Sequence, residues 1–172
     1  PSRFDAGTAY ISVDLHQHSV ISFDSGVAPL DRAIANAAEG VEVLVATEHN
    51  VFTDFRPVVA GAGLGRSIAS VIGGEATTHS VGHFNALPMK IQREDSRGGM
   101  RDPEGWTPAK IFQFLQASAE PGITPFVQVN HPRIEENGYF ALLRMDRDAP
   151  TSSDPRLQLG FGGLEVVSFG YP

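Results

Sequence analysis

"VEVLVAT", residues 41–47, is the clearest indication of fold class in this sequence. It is a nearly continuous run of β-branched and other apolar residues, which is typical of a strand covered on both faces of a sheet. An earlier strand is predicted over residues 11–18, and a predicted helix over residues 25–40 lies between the two. Two strands joined by a helix form a βα unit, in which the strands run parallel.

The rest of the sequence continues this alternation of strands and helices. We predict further strands over residues 67–75, 83–89, 123–130 and 164–170, helices over residues 107–120 and 139–145, and a polar loop over residues 90–106. Since no repeat or linker divides the chain, residues 1–172 are predicted to form a single domain. The alternation indicates an α/β protein with a mainly parallel sheet or a barrel.

Sequence signals mark the ends of the two longer predicted helices. Pro29 stands near the start of the first helix, and Gly40 is its predicted C-terminal cap. Leu30, Ile34 and Ala37 or Ala38 are spaced to share one face of that helix. Thr107 is the predicted N-cap of the later helix, because threonine side chains accept hydrogen bonds from free N–H groups of the first turn.

The composition excludes several classes of function. The 172 residues carry 13 basic and 20 acidic side chains, a net charge of −7, which argues against a nucleic-acid surface. The absence of cysteine excludes disulfides and thiolate metal sites. No apolar run reaches the ~20 residues of a membrane-spanning helix. The composition fits a cytoplasmic or an exported protein equally well, so the location stays open.

Residues able to bind metal stand at the ends of the predicted strands. They are His16 and His18 at the first strand, Glu48 and His49 at the second, Glu75 at the third, His83 at the start of the fourth, and Asn130 and His131 at the fifth. The carboxyl ends of parallel strands meet at one edge of a sheet, where reactive groups gather. Solvated or core histidines would not follow strand ends, so the pattern predicts a shared metal site.

The donor types define the predicted chemistry. Imidazole and carboxylate ligands without thiolates suit zinc, manganese or iron. More than four candidate ligands indicate more than one ion, with Glu75 able to bridge two ions through its separate oxygens. Paired ions lower the pKa of a bound water to roughly 7, so the predicted reaction is a hydrolysis that needs no protein nucleophile. The GxSxG turn of serine hydrolases does not occur.

Five ordered motifs resemble the polymerase-and-histidinol-phosphatase (PHP) domain. They are "DLHQHSVISFD", "VLVATEHN", "GGEATTHSVGHFNAL", "VNHPR" and "LEVVSFG", and their wording looks most like the carbaryl-hydrolase-like branch. The resemblance implies a distorted, TIM-like (β/α)7 barrel with two to three divalent metal ions. It implies that His16 and His18 hold the first ion, that Glu75 bridges to a second ion held by His83 and His131, and that Asp24 and His49 belong to the third.

The chain departs from the family pattern in two places. Thr47-Glu48-His49 stands where the family usually has Thr-Asp-His, and we expect Glu48 to be an outer partner of an imidazole. The family also closes with an Asp-x-His pair after the strand that resembles "LEVVSFG", and this sequence has no such pair. We therefore expect a barrel that is incomplete at its C-terminus, in a fragment that self-associates or lacks a C-terminal segment of a longer protein.

Further residues are assigned roles with their alternatives. The predicted catalytic residues are Glu75, His131, His79 and Arg133. His79 is expected to be an outer-shell or substrate-facing group, and Arg133 to bind an anionic part of the substrate or to be an ordinary surface arginine. Asp24 is a metal ligand or a cap of the turn at Ser25 and Gly26.

The sequence thus predicts an enzyme, a metal-dependent hydrolase of phosphoesters or of carbamate and carboxylic esters. The expected partner is a small-molecule ester. If that ester is anionic, an arginine side chain would bind its negative charge. One alternative is a non-catalytic domain that retains metal. Another is an amidohydrolase-type enzyme, which ranks lower because such enzymes often bridge their metals with a carboxylated lysine, and neither Lys90 nor Lys110 follows a central strand.

Overall fold

The computed structural model describes residues 10–149 and 151–166. Within these ranges the chain forms seven strands in two sheets and four helices. In chain order the elements are β1 (Val13–Asp14), α1 (Pro29–Glu39), β2 (Val43–Ala46), α2 (Arg56–Gly61), β3 (Ala69–Ile72), β4 (Gly74–Thr78), β5 (Gly82–Leu87), α3 (Pro108–Ala117), β6 (Phe126–Val129), α4 (Tyr139–Leu142) and β7 (Gly163–Leu164). No helix among these residues is long and apolar enough to cross a membrane.

The first sheet confirms the predicted parallel βα units. Its strands run parallel in the order β1-β2-β3, so β2 is central. Leu44, Val45 and Ala46 of β2 are fully buried, as expected for a strand covered on both faces. Ala33 of α1 and Val59 of α2 pack in the same apolar cluster as this strand.

Helix α1 ends as predicted but buries a different face. Gly40 adopts a left-handed φ of 80°, which makes it the C-cap that its position predicts. Leu30 and Ile34 are 45% and 48% exposed, whereas Ala33 and Asn36 are buried. The helix therefore rests on its small and polar residues, and the apolar pair faces outward.

The second sheet corrects the predicted barrel. Strand β4 pairs antiparallel with β5, and β5 pairs antiparallel with β6; only β6 and β7 are parallel. The predicted (β/α)7 barrel is therefore wrong: within the described residues the two sheets remain open, and β1 and β7 are outer strands that do not pair with each other. Residues 76–82 between the two predicted strands are too few for a parallel crossover, which needs a dozen or more residues, so the chain forms a hairpin instead.

Gly73 lies where the predicted strand over residues 67–75 divides into β3 and β4. A Cβ atom at Gly73 would lie 2.8 Å from Cγ1 of Val45 and 2.9 Å from the carbonyl oxygen of Ala46. Only glycine therefore lets the chain pass so close to β2. Beyond it, a parallel bridge between His49 and Glu75 joins the two sheets.

The second sheet packs against the predicted helix of residues 107–120. Thr107 accepts a hydrogen bond from the backbone N–H of Lys110, which confirms the predicted N-cap of α3. Ile111, Phe112 and Leu115 of this helix are buried in the larger apolar cluster. This cluster holds α3 against one face of the second sheet.

Two other predicted segments differ in extent from the structure. The segment 90–106 has no helix or strand, as predicted, but Met100 within it is only 1% exposed and packs in the larger core. The predicted strand over residues 164–170 coincides with the structure only at Leu164, the last residue of β7. Residues 167–170 of that prediction lie outside the described residues.

Candidate metal centre

The segment after β1 carries His16 and His18, and Gln17 between them is held in the interior. Gln17 is buried, its backbone N–H donates to Oγ1 of Thr47 at 2.8 Å, and its side-chain oxygen accepts from Asn36 at 2.7 Å. The Nε2 atoms of His16 and His18 lie 3.1 Å apart. The alternation of side chains along this segment thus directs Gln17 into the interior and brings the ring nitrogens of His16 and His18 together.

Glu75 of β4 is the centre of the cluster. It is fully buried, and imidazole nitrogens approach its two carboxylate oxygens from four residues: His49 at 2.7 Å, His83 at 3.2 Å, His16 at 3.5 Å and His18 at 3.6 Å. Oε1 accepts a hydrogen bond from Asn130 at 2.7 Å, whereas Oε2 has no hydrogen-bond partner. Nδ1 of His49 nevertheless lies only 2.7 Å from Oε2, so this buried oxygen depends on positive charge beside it, from a protonated imidazole or from a bound cation.

The ligand atoms form three overlapping groups, in each of which they lie within 4.8 Å of one another. The groups are His16, His18 and Glu75; His49, Glu75 and His83; and His18, Asp24 and His49. Glu75 belongs to two of the groups, consistent with a bridging carboxylate. Strand ends of the first sheet and two strands of the second sheet contribute to them.

His131 borders this cluster rather than joining one of the three groups. Its ring centroid is 4.8 Å from that of His83 and 5.8 Å from that of His16, and its Nδ1 atom is buried without a hydrogen bond. The family resemblance implies that His83 and Glu75 share an ion with His131, whereas the ligand atoms here group those two residues with His49.

The backbone of His131 is strained. Its φ of 29° is rare for a residue other than glycine and carries a cost on the order of 1–3 kcal/mol. A hydrogen bond of 2.7 Å from its backbone N–H to Oε2 of Glu165 holds this conformation. The same carboxylate oxygen lies 3.2 Å from Nδ1 of His16, so Glu165 braces two imidazole residues.

The electrostatics keep Glu75 ionised despite its burial. Burial alone would raise the pKa of this carboxyl, but the adjacent His49 and His83 outweigh burial and hold the pKa well below its usual range. For His16, burial opposes protonation, yet Glu165 and Glu75 outweigh it and raise its pKa. The pKa of His49 is likewise raised, because Glu75 and Asp24 outweigh the effect of burial.

The other two imidazoles with altered pKa values favour the neutral form. Burial lowers the pKa of His18 and outweighs the attraction of Glu75. Burial, followed by repulsion from His83, lowers the pKa of His131 to about 4. Neutral imidazole is the form that binds metal, so these two rings need lose no proton to become ligands.

The outer side of the cluster is formed by the loop after His18. Oδ2 of Asp24 lies 3.2 Å from Nε2 of His49, and Oδ1 lies 4.0 Å from Nδ1 of His18. The ring of Phe23 stacks on that of His49 with centroids 4.6 Å apart, although Phe23 is 84% exposed. This side therefore combines an accessible carboxylate with an accessible aromatic face.

Two predicted catalytic residues lie away from the carboxylate centre. The side chain of His79 is 96% exposed and lies 3.2 Å from Glu104. Arg133 donates to the carbonyl oxygens of Met145 and Asp146 at 2.8 and 3.0 Å, so its guanidinium braces the following loop. Neither contact involves a group of the metal cluster, and both catalytic roles stay predictions.

A cleft of about 730 Å³ opens beside the cluster. It is lined by His131 and Glu165 on the cluster side and by Arg133, Phe140, Arg147 and Leu164 elsewhere. Because Glu135 and Glu136 also line it, the cleft combines the edge of the candidate centre with charged groups of both signs and apolar surface, and its size suits a small organic ligand.

Sequence reasoning missed several of the supporting residues. Glu48, expected beside an imidazole, is fully buried and instead accepts hydrogen bonds from the backbone of Ser19 and the hydroxyl of Ser22. Thr77, whose Oγ1 is 2.5 Å from Nδ1 of His49, lies in the motif around Glu75 but was not singled out from sequence. Ser22 likewise lies in a motif, but serine is too common in turns to be singled out from sequence.

The residues present fit a divalent ion. All donors are nitrogen or oxygen, and three buried polar atoms without hydrogen bonds, Oε2 of Glu75 and Nδ1 of His83 and His131, lie in this cluster. Such a donor set suits zinc, manganese or iron. The assignment rests on this geometry and on the motifs, since neither the family models nor the curated proteins with which the chain was compared match it.

Proposed function

We propose that the protein is a metal-dependent hydrolase that acts on phosphoesters or on carbamate and carboxylic esters. The observation that carries this proposal is the buried, ionised Glu75 carboxylate, which has four imidazole nitrogens within 3.6 Å and one oxygen without a hydrogen bond. The motif resemblance to the PHP domain supports the same assignment.

The three groups of ligand atoms suggest which residues would hold each ion. His16, His18 and Glu75 would hold one ion, and His49 and His83 would hold a second with the shared carboxylate. Asp24 would complete a further group with His18 and His49. Divalent ions held by these residues would supply Lewis acidity, which would lower the pKa of a coordinated water to roughly 7 and polarise an ester oxygen.

The chain's own residues would orient the ligands and admit the substrate. Asn130 fixes the rotation of the Glu75 carboxylate through its 2.7 Å hydrogen bond to Oε1. Glu165 fixes the ring of His16 by accepting at Nδ1, which leaves Nε2 directed toward Glu75. The cleft beside His131 would hold the ester, with Phe140 and Leu164 against its apolar part.

The proposal is tested by metal binding and turnover with the full chain. We expect purified protein loaded with zinc or manganese to hydrolyse at least one chromogenic ester from a panel of phosphoesters, carboxylic esters and carbamates. Loss of an outer-shell partner already lowers metal affinity or activity by about 10–100-fold. Because Glu75 is a proposed direct ligand, Glu75→Gln should lower metal affinity and turnover by more than about 100-fold.

Glu94→Gln is the matched control, because Glu94 is exposed and lies in the polar segment 90–106. It should leave metal content and turnover unchanged. Stoichiometric metal binding without turnover of any ester would contradict the hydrolase and favour a metal-retaining domain without catalysis. Absence of metal binding would contradict the centre itself.

A further inference from the structure

Ser22 is a buried hydroxyl located between a buried carboxylate and a candidate metal ligand. Its Oγ atom lies 2.5 Å from Oε2 of Glu48 and 3.3 Å from Nδ1 of His18. The backbone N–H of His49 donates to the same oxygen at 3.0 Å. Ser22 is 4% exposed and Glu48 is fully buried, so water does not compete for these contacts.

The hydrogen-bonding capacity of Ser22 fixes the direction of each contact. A hydroxyl has one proton to donate and two lone pairs with which to accept. Oγ of Ser22 donates its proton to Oε2 of Glu48, at a distance of 2.5 Å that is typical of a hydroxyl donating to a carboxylate. The lone pairs of Ser22 are then left for two donors, namely the N–H of His49 and Nδ1–H of His18.

We propose that Ser22 is a positioning residue that holds His18 in the tautomer protonated at Nδ1, so that the Nε2 lone pair is available to metal. Nε2 is the atom of His18 that lies 3.1 Å from Nε2 of His16 and 3.6 Å from Oε2 of Glu75. The opposite tautomer would direct a proton into the metal site. The role in metal binding rests on the proposed function, whereas the tautomer is a property of the metal-free protein.

Glu48 acts through Ser22 and not on an imidazole directly. Both of its oxygens accept from the backbone N–H of Ser19, at 3.0 and 3.1 Å, which fixes the carboxylate relative to the loop. The carboxylate takes the only proton of Ser22 and so forces the hydroxyl to accept from His18. One buried acid thereby sets the orientation of the ring of His18 and of the backbone of His49.

Among the described residues, no other side chain offers an acceptor within hydrogen-bond distance of Nδ1 of His18. Asp24 is the other carboxylate near Nδ1 of His18, but its Oδ1 is 4.0 Å away, beyond hydrogen-bond distance. Ser25 lies in the same loop and donates to the carbonyl oxygen of His18 at 3.1 Å, without contact to the ring. Ser25 therefore provides a matched control for the loss of a hydroxyl.

The test reads the tautomer of His18 by ¹⁵N NMR in the metal-free full chain. The wild-type protein should show a protonated Nδ1 and an unprotonated Nε2 at His18. Ser22→Ala should give shifts averaged between both tautomers, whereas Ser22→Thr, which retains the hydroxyl, should restore the wild-type pattern. Ser25→Ala should leave the pattern unchanged.

Zinc binding supplies the second readout. Loss of an outer-shell partner of a metal-binding histidine typically costs 10–100-fold, so Ser22→Ala should weaken zinc affinity by about 10–100-fold and Ser25→Ala by less than about threefold. If Ser22→Ala does not fold, Ser22→Cys is used, because a thiol of similar size is a weak acceptor.

The possible failures are distinguishable. An unchanged His18 tautomer in the folded Ser22→Ala or Ser22→Cys protein would overturn the role of Ser22, even with a metal-dependent activity intact. An equal loss of zinc affinity in Ser25→Ala would also overturn it, because the effect would then be a general loosening of the loop. Failure of wild-type protein to bind zinc would overturn the proposed function and leave the tautomer measurement interpretable.

Discussion

At the scale of single residues, His131 combines a strained backbone with an unpaired side chain. Its φ is 29°, and its Nδ1 atom is buried without a hydrogen bond. Strain of this kind persists only where the surrounding structure imposes it, and it is concentrated at functional sites. The carboxylate of Glu165 imposes it here by accepting from the backbone N–H.

Replacement of His131 by alanine should separate metal binding from folding. The imidazole has no hydrogen bond at Nδ1 to lose, so we expect the free energy of unfolding of the metal-free protein to change by less than about 1 kcal/mol. Zinc affinity should fall at least about tenfold if the ring binds or supports the metal. Denaturant unfolding and zinc titration check the two effects, and unfolding of the variant with unchanged zinc affinity per folded molecule would contradict this assignment.

The raised pKa values of His16 and His49 predict how metal binding depends on pH. Neighbouring carboxylates outweigh the effect of burial and shift both imidazoles toward the protonated form in the metal-free protein. A metal must displace these protons, so its affinity should fall as the pH falls through the raised values, beginning above the ordinary histidine range near 6.5. At higher pH both rings are neutral and the competition disappears.

Calorimetry measures this proton release directly. Zinc titrated at pH 7 in two buffers with different ionisation enthalpies should give different apparent heats, with a net release of protons. Heats that are equal in both buffers, together with an affinity that is constant between pH 6 and pH 8, would show that the two rings are already neutral.

At the scale of secondary-structure elements, the β4–β5 hairpin determines how the second sheet differs from a barrel. Gly82 begins β5 with a φ of 94°, in the region that favours glycine. A Cβ atom at this position would lie 2.8 Å from the backbone nitrogen of Tyr139 in α4. The hairpin and the helix can therefore pack together only if this residue has no side chain.

We expect Gly82→Ala to lower the free energy of unfolding by more than about 2 kcal/mol, because it combines a positive φ with a clash against backbone. Gly26→Ala is the matched control, since a Cβ atom at Gly26 meets nothing within 4 Å. Denaturant unfolding of the two variants measures the difference. Equal stabilities would show that α4 shifts to accommodate the methyl group.

The secondary elements were more predictable than their pairing. The β-branched run identified β2, and Gly40 and Thr107 identified helix ends, because these signals depend on local backbone geometry. The barrel prediction failed because the hairpin between β4 and β5 was taken for a parallel crossover. The short segment of residues 76–82 was the sequence feature that excluded a parallel crossover. The alternation of apolar segments was compatible with both arrangements.

At the scale of the whole molecule, the candidate centre joins the two sheets. His16, His18 and His49 follow strands of the first sheet, whereas Glu75 and His83 belong to strands of the second. The sequence predicted these residues as one site because ligand chemistry followed the strand ends. It could not assign Ser22 or the contacts of Glu165, because those depend on the path of loops in three dimensions.

We propose above all that the Glu75 carboxylate binds divalent metal together with the surrounding imidazoles. Anomalous diffraction at the zinc edge, from crystals of the full chain grown with zinc, tests it most directly. We expect anomalous peaks about 2 Å from oxygens of Glu75 and from nitrogens of its neighbouring histidines, and their loss in Glu75→Gln. A structure in which zinc lies only elsewhere, with both oxygens of Glu75 hydrogen-bonded to protein groups, would contradict it.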